Sequence, residues 1–323
     1  MKQNNSMKEI GQKLMAAESV VLFPHISTDG DALGSCVALC VALRNAGKQA
    51  YILMEEETPE YVGFLDQGYC TQDQDIIAEP DICMCVDCSE TKRFPGRREA
   101  FFKGRTTICI DHHVTSEPFA DYNYIDGGAA ATCELVYKLL TVMEAPVTKE
   151  IAEALYTGIS TDTGNFQYSN TTKETHLIAA ELLDAGIDHN KLTVLLYQNT
   201  KLERLRITCR VLDTMELFAD GKAAIACVTQ KMLEEEGTSM EDAEGSIDLL
   251  RNIMGVEIAA ILKERAPGVI KVSMRAKTTA NVAEIAAGFG GGGHIKAAGC
   301  TFETDMQAAW DQIKTAIEES LRN

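Results

Sequence analysis

The chain has 323 residues and a formal net charge of −18, with 46% hydrophobic and 24% charged residues. This composition is typical of a soluble globular protein, and the length predicts about two domains. No apolar run reaches the roughly 20 residues of a membrane-spanning helix, and the polar start MKQNNSMKEIGQKL lacks a signal peptide's apolar core. We therefore expect a cytoplasmic protein without a membrane partner. The negative charge also disfavours binding of long nucleic acid, which depends on Lys and Arg.

Most of the eleven cysteines lie in apolar runs, which is typical of reduced, buried thiols in a cytosolic protein. Three of them, Cys83, Cys85 and Cys88, lie close together in DICMCVDCSE. The segment has the pattern of a strand, and no fourth thiol follows at the spacing of a zinc site. We expect these thiols to pack in the core.

Short apolar runs alternate with helical patterns through the first half of the chain. SVVLF predicts a strand, and DALGSCVALCVALRNAG predicts a helix that stops at Gly47. QAYILM, DICMCVDCS and TTICIDHH predict three further strands, and IAEALYTGISTDTGNF is a helical pattern containing Asp162. Such alternation predicts a parallel sheet covered by helices.

The pattern changes after about Asp188. HNKLTVLLYQNTKLERLRITCRVLDTMELF predicts a long helical connection, GKAAIACVTQ and GVIKVSMRAK predict strands, and VAEIAAGFG predicts a helix. We therefore predict an α/β fold with a parallel-sheet catalytic domain over residues 1–190. A helical linker at 191–215 and a smaller α/β domain at 216–323 complete the prediction.

Acidic and histidine side chains follow several predicted elements of the first half. In open α/β sheets, ligands bind at the carboxyl ends of the strands. Carboxylate and imidazole ligands suit Mn²⁺, Mg²⁺ or Zn²⁺, and so many of them suit two ions that share a carboxylate. Helix caps and a chance histidine pair are an adequate explanation for one such segment but not for four together. The candidates are His25, Asp29, Asp31, Asp87, Asp111, His112, His113 and Asp162.

Positive charge is concentrated in one part of the second half. Between Arg265 and Cys300, five basic residues and one acidic residue give a local charge of +4. In VSMRAK, the two-residue period of a strand places Ser273, Arg275 and Lys277 on one face. The run GGGG before His294 allows backbone N–H groups to approach an anion closely. A solvated strand next to a flexible loop is the alternative interpretation.

Four motifs in fixed order, HISTDGD, VDCS, DHH and STDTGNF, resemble the DHH phosphoesterase family. VSMRAK followed by GFGGGGH resembles the DHHA1 substrate domain of its short-chain members. The resemblance covers nearly the whole chain and implies a DHH domain joined to a DHHA1 domain. It also implies two divalent ions, with Mn²⁺ favoured and Mg²⁺ as an alternative.

The resemblance also implies roles for individual residues. One ion would be held by His25, Asp29 and Asp87, and the other by Asp31, Asp87, His112 and Asp162, with Asp87 bridging. Asp111 would fix the ring of His112 by accepting its remaining N–H. His113 would face the substrate phosphate and donate a proton to the leaving oxygen after an activated water attacks phosphorus. The implied substrate-binding residues are Ser273, Arg275, Lys277, Gly291, Gly292, Gly293 and His294.

The function implied is hydrolysis of short oligoribonucleotides to mononucleotides and dephosphorylation of pAp, with a homodimer as one expected assembly. The same motifs serve cyclic-di-AMP or pApA turnover, which is the first alternative. A pyrophosphatase is disfavoured by the GGGGH loop, and an exonuclease for long single strands is disfavoured by chain length. A nucleotide-binding sensor without turnover, the alternative of another class, would require a broken metal site.

Overall fold

The computed structural model describes residues 4–322, and these fall into two compact units divided between Asn199 and Thr200. That division lies inside the predicted linker. The long helix expected there is two helices separated by the polar residues 198–201. The predicted domain boundaries themselves stay predictions.

Among the residues described, the first unit contains one six-stranded sheet, seven α-helices and three short 3-10 helices. Its strands are β1 Ser19–Phe23, β2 Gln49–Leu53, β3 Cys70–Thr71, β4 Ile82–Val86, β5 Thr106–Asp111 and β6 Tyr122–Ile125. Its helices are α1 Met7–Ala16, α2 Gly30–Asn45, α3 Arg98–Phe101, α4 Thr132–Val142, α5 Lys149–Asp162, α6 Lys173–Asp184 and α7 His189–Tyr197.

All strands of this sheet are parallel, in the order β3-β2-β1-β4-β5-β6. The strand order therefore reverses between β1 and β4, and such a switch point opens a crevice at the carboxyl ends of the strands. Apolar clusters cover both faces, so the strands are near-continuous hydrophobic runs. The expected parallel sheet covered by helices is confirmed.

Cysteines contribute to the core as predicted. Cys83, Cys85 and Cys88 are fully buried in one apolar cluster with the aromatic rings of Phe94 and Phe101. Burial raises the pKa of the Cys83 thiol to about 12, which keeps it protonated and inert. Cys83 and Cys85 are packing groups. Cys88 packs beside them, but its hydrogen bond with Cys85 lowers its pKa.

The second unit holds a second six-stranded sheet in the order β11-β12-β10-β9-β8-β7. All its pairs are antiparallel except β8 with β9. Its strands are β7 Glu216–Phe218, β8 Ala223–Val228, β9 Ile258–Ala266, β10 Val269–Ala276, β11 Gly292–His294 and β12 Ala297–Glu303. Its helices are α8 Leu202–Asp213, α9 Gln230–Glu236, α10 Ser246–Asn252, α11 Val282–Ala287 and α12 Met306–Arg322. Strands β7, β9, β11 and β12 were not among the predicted elements. Residues 216–218, included in the predicted helical connection, form β7 instead.

Candidate metal centre and substrate-binding face

The predicted metal ligands meet at the switch point of the first sheet. His25 and Asp29 follow β1, and the Asp29 carboxylate caps α2 by accepting the N–H groups of Asp31 and Ala32. Asp87 follows β4 with a φ of 57°, a left-handed conformation that is uncommon outside glycine. Two more predicted ligands, His112 and Asp162, come from the ends of β5 and α5. His113, predicted to face the substrate, directly follows His112.

One group of ligand atoms lies around the imidazole of His25. Its Nε2 is 3.6 Å from Asp29 Oδ2 and 3.6 Å from Asp87 Oδ2. Two ligands held at about 2.1 Å from one cation are separated by roughly 3–4 Å. The spacing therefore fits a single ion between these three side chains.

A second group lies around His112, and it uses the other oxygen of Asp87. His112 Nε2 is 3.6 Å from Asp87 Oδ1, 3.6 Å from Asp162 Oδ2 and 3.9 Å from Asp31 Oδ2. Because the two oxygens of one carboxylate face different groups, Asp87 is placed to bridge two ions.

Both ligand histidines have their ring orientation fixed by a backbone carbonyl. His25 Nδ1 is 2.6 Å from Ile26 O, and His112 Nδ1 is 3.2 Å from Ala129 O. A carbonyl only accepts, so each Nδ1 carries the proton and each Nε2 offers a lone pair to the ligand group. This is the usual way in which a protein prepares a histidine for a metal.

The predicted role of Asp111 is wrong in one respect. Its Oδ1 accepts a hydrogen bond of 2.8 Å from Nδ1 of His113, whereas His112 donates to Ala129. The two rings of the His-His pair point in different directions, at an angle of 61°. Asp111 therefore orients the histidine expected to face the substrate.

The burial and the pKa values of the side chains at this edge indicate that additional positive charge would stabilise them. Asp31 and Asp87 are 1% and 2% exposed. Burial, together with the negative charges of Asp87, Asp162 and Asp29, raises the pKa of Asp31 well above its usual range. Although burial lowers the pKa of His25, Asp29 and Asp87 raise it to about 10. Carboxylates that raise the pKa of a buried imidazole in this way fit a divalent cation, which would neutralise them.

His113 differs from the two ligand histidines in exposure and partner. Its side chain is 42% exposed, and its Nδ1 lies 3.6 Å from Asp87 Oδ1 in addition to its bond with Asp111. The hydrogen bond to Asp111 raises the pKa of His113 to about 9 against the opposing effect of burial. The ring is therefore placed beside the ligand groups with a proton to donate.

Sequence reasoning missed the amino end of α4 as part of the site. The N–H groups of Thr132 and Cys133 donate to the two oxygens of Asp31 at 2.6 and 2.8 Å. The hydroxyl of Thr132 donates to Asp87 Oδ1 at 2.8 Å. A helix terminus favours negative charge, which supports the buried carboxylate. Thr132 lies about one hundred residues from Asp31 in the chain, so no local pattern signals these contacts.

Close helix packing brings α5 against this carboxylate. A Cβ atom on Gly158 would lie 2.2 Å from Cys133 Sγ and 3.0 Å from Asp31 Oδ1. Only glycine fits there, since side-chain atoms do not approach so closely. The glycine lets α5 deliver Asp162 to the same edge.

Five of the seven predicted substrate-binding residues lie on strands of the second sheet, whereas Lys277 and Gly291 lie just outside β10 and β11. Ser273 pairs with Gly299, which pairs with Gly292, while Arg275 pairs with Ala297, which pairs with His294. The small residues of β12 therefore lie between the β10 side chains and the glycine strand β11. Ser273 and Arg275 are partly exposed and alternate with the buried Val272 and Met274, as predicted.

The basic side chains predicted from composition divide into two sets. Lys277 Nζ donates to Ile253 O at 2.8 Å, and Arg275 Nη1 donates to Met274 O at 3.1 Å. Lys296 Nζ donates to Thr278 O and Ala280 O, so all three have local backbone partners. By contrast, Lys271 pairs in register with Lys263, a residue that sequence reasoning missed because β9 was not predicted. The Lys263 side chain is 13% exposed and lies 3.7 Å from Glu244.

Among residues 4–322, no helix is long and apolar enough to cross a membrane.

Comparison with known proteins agrees with this arrangement. Residues 19–159 match the family described as DHH family, N-terminal domain, and residues 220–323 match the DHHA1 domain. The first match contains the His25, Asp87 and His112 ligands, and the second contains Arg275 and the glycine strand.

Several curated relatives match most of the chain, and two of them are informative about function. A Thermus thermophilus protein named bifunctional oligoribonuclease and PAP phosphatase NrnA is 33% identical, over 98% of this chain and 94% of its own length. A Listeria monocytogenes protein named cyclic-di-AMP phosphodiesterase PdeA is 26% identical over 94% of this chain, but only 48% of its own length is covered. The similarity to the first relative is therefore full-length, whereas half of the second has no counterpart here.

A solved structure shows the same fold along the chain. An exopolyphosphatase-related protein from Bacteroides fragilis has a TM-score of 0.89 at 28% identity, covering 97% of this chain and 95% of that one. Together with the full-length relative and the matches to both domains, this confirms the resemblance found in the motifs. The chain belongs to the DHH family and carries that family's DHHA1 domain.

Proposed function

We propose that this chain is a hydrolase that cleaves short oligoribonucleotides to mononucleotides and removes a phosphate from pAp. The observation that carries the proposal is the pair of ligand groups sharing Asp87, one around His25 and one around His112. The full-length relative named for both activities supports the choice of substrate.

The ligand groups fit two divalent cations. His25, Asp29 and Asp87 would hold one, and Asp31, Asp87, His112 and Asp162 would hold the other. A mixture of carboxylates with one imidazole per group favours Mn²⁺, and Mg²⁺ is the alternative. When bound, the ions supply a nucleophile at neutral pH and stabilise negative charge on the phosphoryl oxygens.

The chain's own residues would then complete the reaction. His113, protonated and held by Asp111, donates its proton to the leaving ribose oxygen. The N–H groups at the start of α4 hold Asp31 in place. Because these contacts are formed before substrate arrives, little reorganisation is needed during the reaction.

The face of the second sheet would hold the rest of the nucleotide. Arg275 can bind a phosphate through the N–H groups of Nε and Nη2, while its Nη1 donates to Met274 O. Ser273 lies beside it on the same face. His294 and the backbone of Gly291, Gly292 and Gly293 border this face. Lys277 remains a proposed contact of lower weight, since its Nζ already donates to Ile253 O.

The chain's negative charge limits the substrates to short ones. With a net charge of −18, the surface repels long polyanions, and cations are concentrated near β9 and β10. The buried, reduced thiols favour a reducing compartment, and we place the protein in the cytoplasm.

Turnover of cyclic-di-AMP or pApA is the second candidate, because the same ligand groups serve it and the Listeria relative carries that name. A sensor without turnover is disfavoured, since every predicted metal ligand lies in one of the two groups.

The test is a chromatographic time course with Mn²⁺ on a dinucleotide, a five-residue RNA, pAp, pApA, cyclic-di-AMP and pyrophosphate, each with a chelator control. Rapid chelator-sensitive release of mononucleotides and cleavage of pAp are expected. Preference for cyclic-di-AMP or pApA would replace the substrate assignment with the second candidate. Binding of pAp without cleavage of any substrate would contradict the enzyme proposal.

A further inference from the structure

The segment of residues 129–133 contacts three ligands of the second group. Ala129 O accepts the Nδ1 proton of His112, and the N–H groups of Thr132 and Cys133 hold Asp31. The Thr132 hydroxyl also donates to the shared Asp87. A displacement of this segment would therefore move or release several ligands at once.

One side-chain amide ties this segment to the fourth ligand of the group. Asn170 Nδ2 donates to Ala130 O at 2.9 Å and to Asp162 O at 3.1 Å. Its Oδ1 is buried and has no hydrogen-bond partner within residues 4–322. Within that range, the Asn170 amide donates two hydrogen bonds and thereby joins two backbone segments.

The loop between Asp162 and Asn170 is shaped to bring this amide back to the end of α5. Gly164, Asn165 and Phe166 follow one another in the left-handed region, with φ values of 55°, 58° and 63°. For non-glycine residues such a conformation is strained and persists where the surroundings impose it. Here Thr163 Oγ1 accepts the Phe166 N–H, and the Phe166 ring stacks on His176 at 5.3 Å. The loop is thus held in the shape that returns the chain to Asp162.

We propose that Asn170 is a positioning residue for the second ligand group, acting through the two backbone carbonyls that it joins. The proposal rests on the two-ion assignment of the proposed function. Both hydrogen bonds of the Asn170 amide go to backbone carbonyls rather than to ligand side chains. It fixes the distance between the 129–133 segment and Asp162, and with it the spacing of His112, Asp31 and Asp162.

A different hydrogen bond stabilises the first ligand group, and it allows a matched comparison. The buried hydroxyl of Thr28 donates to His25 O at 2.7 Å, inside the loop that carries His25 and Asp29. The carbonyls that accept from Asn170 lie in other segments. The two ties should therefore act on different ions, although the shared Asp87 allows some effect on both.

The test is calorimetric titration of Mn²⁺ into the metal-free full chain, without substrate. The wild-type protein should show two binding steps. Asn170→Ala should weaken one step by about 10- to 100-fold, the usual cost of losing a group that orients metal ligands. Thr28→Val should weaken the other step, leaving the step sensitive to Asn170 closer to its wild-type value.

Asn170→Ser guards against a variant that fails to fold, because its hydroxyl can serve one carbonyl but not both. We expect the Mn²⁺ affinity of Asn170→Ser to lie between those of the wild type and Asn170→Ala. A thermal melting transition of the metal-free protein would show that each variant folds. Folded Asn170 variants with both steps unchanged, or with the same step affected as in Thr28→Val, would overturn the positioning role. A wild-type protein with only one step would instead contradict the two-ion assignment.

Discussion

Two charged regions differ in how deeply their side chains are buried. One is the ligand edge, the group of candidate metal ligands that includes Asp31 and Asp87, and the other is the cationic face of the second sheet, which carries Arg275 and Lys271. Asp31 and Asp87 are almost fully buried, and each accepts hydrogen bonds from α4. Arg275 is only partly buried and Lys271 is exposed. Burying a charge is costly unless it is paired, whereas exposed charges cost little and also stabilise little.

The difference suggests which kinetic constant each region controls. The buried carboxylates are fixed before any ligand arrives, which suits permanently bound ions and a reaction of defined geometry. The exposed cations can rearrange around substrates of different length. Changes at the ligand edge should therefore lower kcat, and changes on the face of the second sheet should mainly raise KM.

The largest effect is expected for Asp87→Asn, which keeps the shape but removes the charge facing both ligand groups. Loss of metal-dependent stabilisation amounts to several kcal/mol, so kcat should fall by about 10³-fold or more. Rates of dinucleotide cleavage and Mn²⁺ calorimetry would measure this. Activity near that of the wild type, with two intact binding steps, would rule out a bridging role for Asp87.

His113→Ala should follow, with a loss of about 10²-fold in kcat, the usual contribution of a general acid. A substrate with a p-nitrophenolate leaving group needs no proton, so its cleavage should be nearly unchanged. Rates on a dinucleotide and on a p-nitrophenyl nucleotide ester would be compared. Equal losses on both substrates would show that His113 acts otherwise.

Arg275→Ala should raise KM for nucleotides by roughly 10-fold, which corresponds to one hydrogen bond to a charged group. Lys277→Ala provides the matched comparison, because Lys277 lies one residue beyond the end of β10 and its Nζ donates to Ile253 O. This variant should change KM by less than about 3-fold. KM and kcat for pAp in both variants would be measured. A larger KM effect for Lys277 would reverse our ranking of the two side chains.

The clustering of the candidate ligands could be predicted from the sequence, because each ligand lies in a short motif at the end of a strand or helix. In a parallel sheet every strand carries its carboxyl end to the same edge, so acids at strand ends could be placed together before the structure was known. The sequence could not predict which histidine donates to Asp111. His112 and His113 are adjacent, and only the direction of the backbone at each residue decides which ring faces Asp111. Thr132 and Asn170 were missed because their contacts join separate segments of the chain.

The same reasoning explains the errors in the second sheet. The two-residue period placed Ser273 and Arg275 correctly along β10, whereas Lys277 lies one residue beyond the end of the strand. A period also gives no information about where a long side chain ends. Lys277 reaches a nearby carbonyl. Lys263 was overlooked because its strand, β9, was not recognised in the sequence VEIAAILKER.

The smallest effect is expected at Glu257, the carboxylate of the second unit that most resembles those of the ligand edge. It accepts the N–H groups of Thr278, Thr279 and Ala280, and although burial raises its pKa, these bonds lower it from 4.5 to about 2. A lowered pKa means that the charged form stabilises the fold. This contribution is complete above pH 4.5 and is lost as the pH falls from 4.5 to 2.

Glu257→Gln should therefore lower the free energy of unfolding by about 1–2 kcal/mol at pH 7, the difference between a charged and a neutral acceptor. The gap between variant and wild type should close as the pH falls from 4.5 to 2, because the wild-type carboxyl then becomes neutral as well. Urea unfolding at several pH values would measure it, with the exposed Glu303→Gln as the control. A difference in the free energy of unfolding that stays constant with pH would mean that the shape of the side chain, not its charge, stabilises this turn. The charge of a carboxylate bound by N–H groups would then contribute to stability only where the carboxylate is buried.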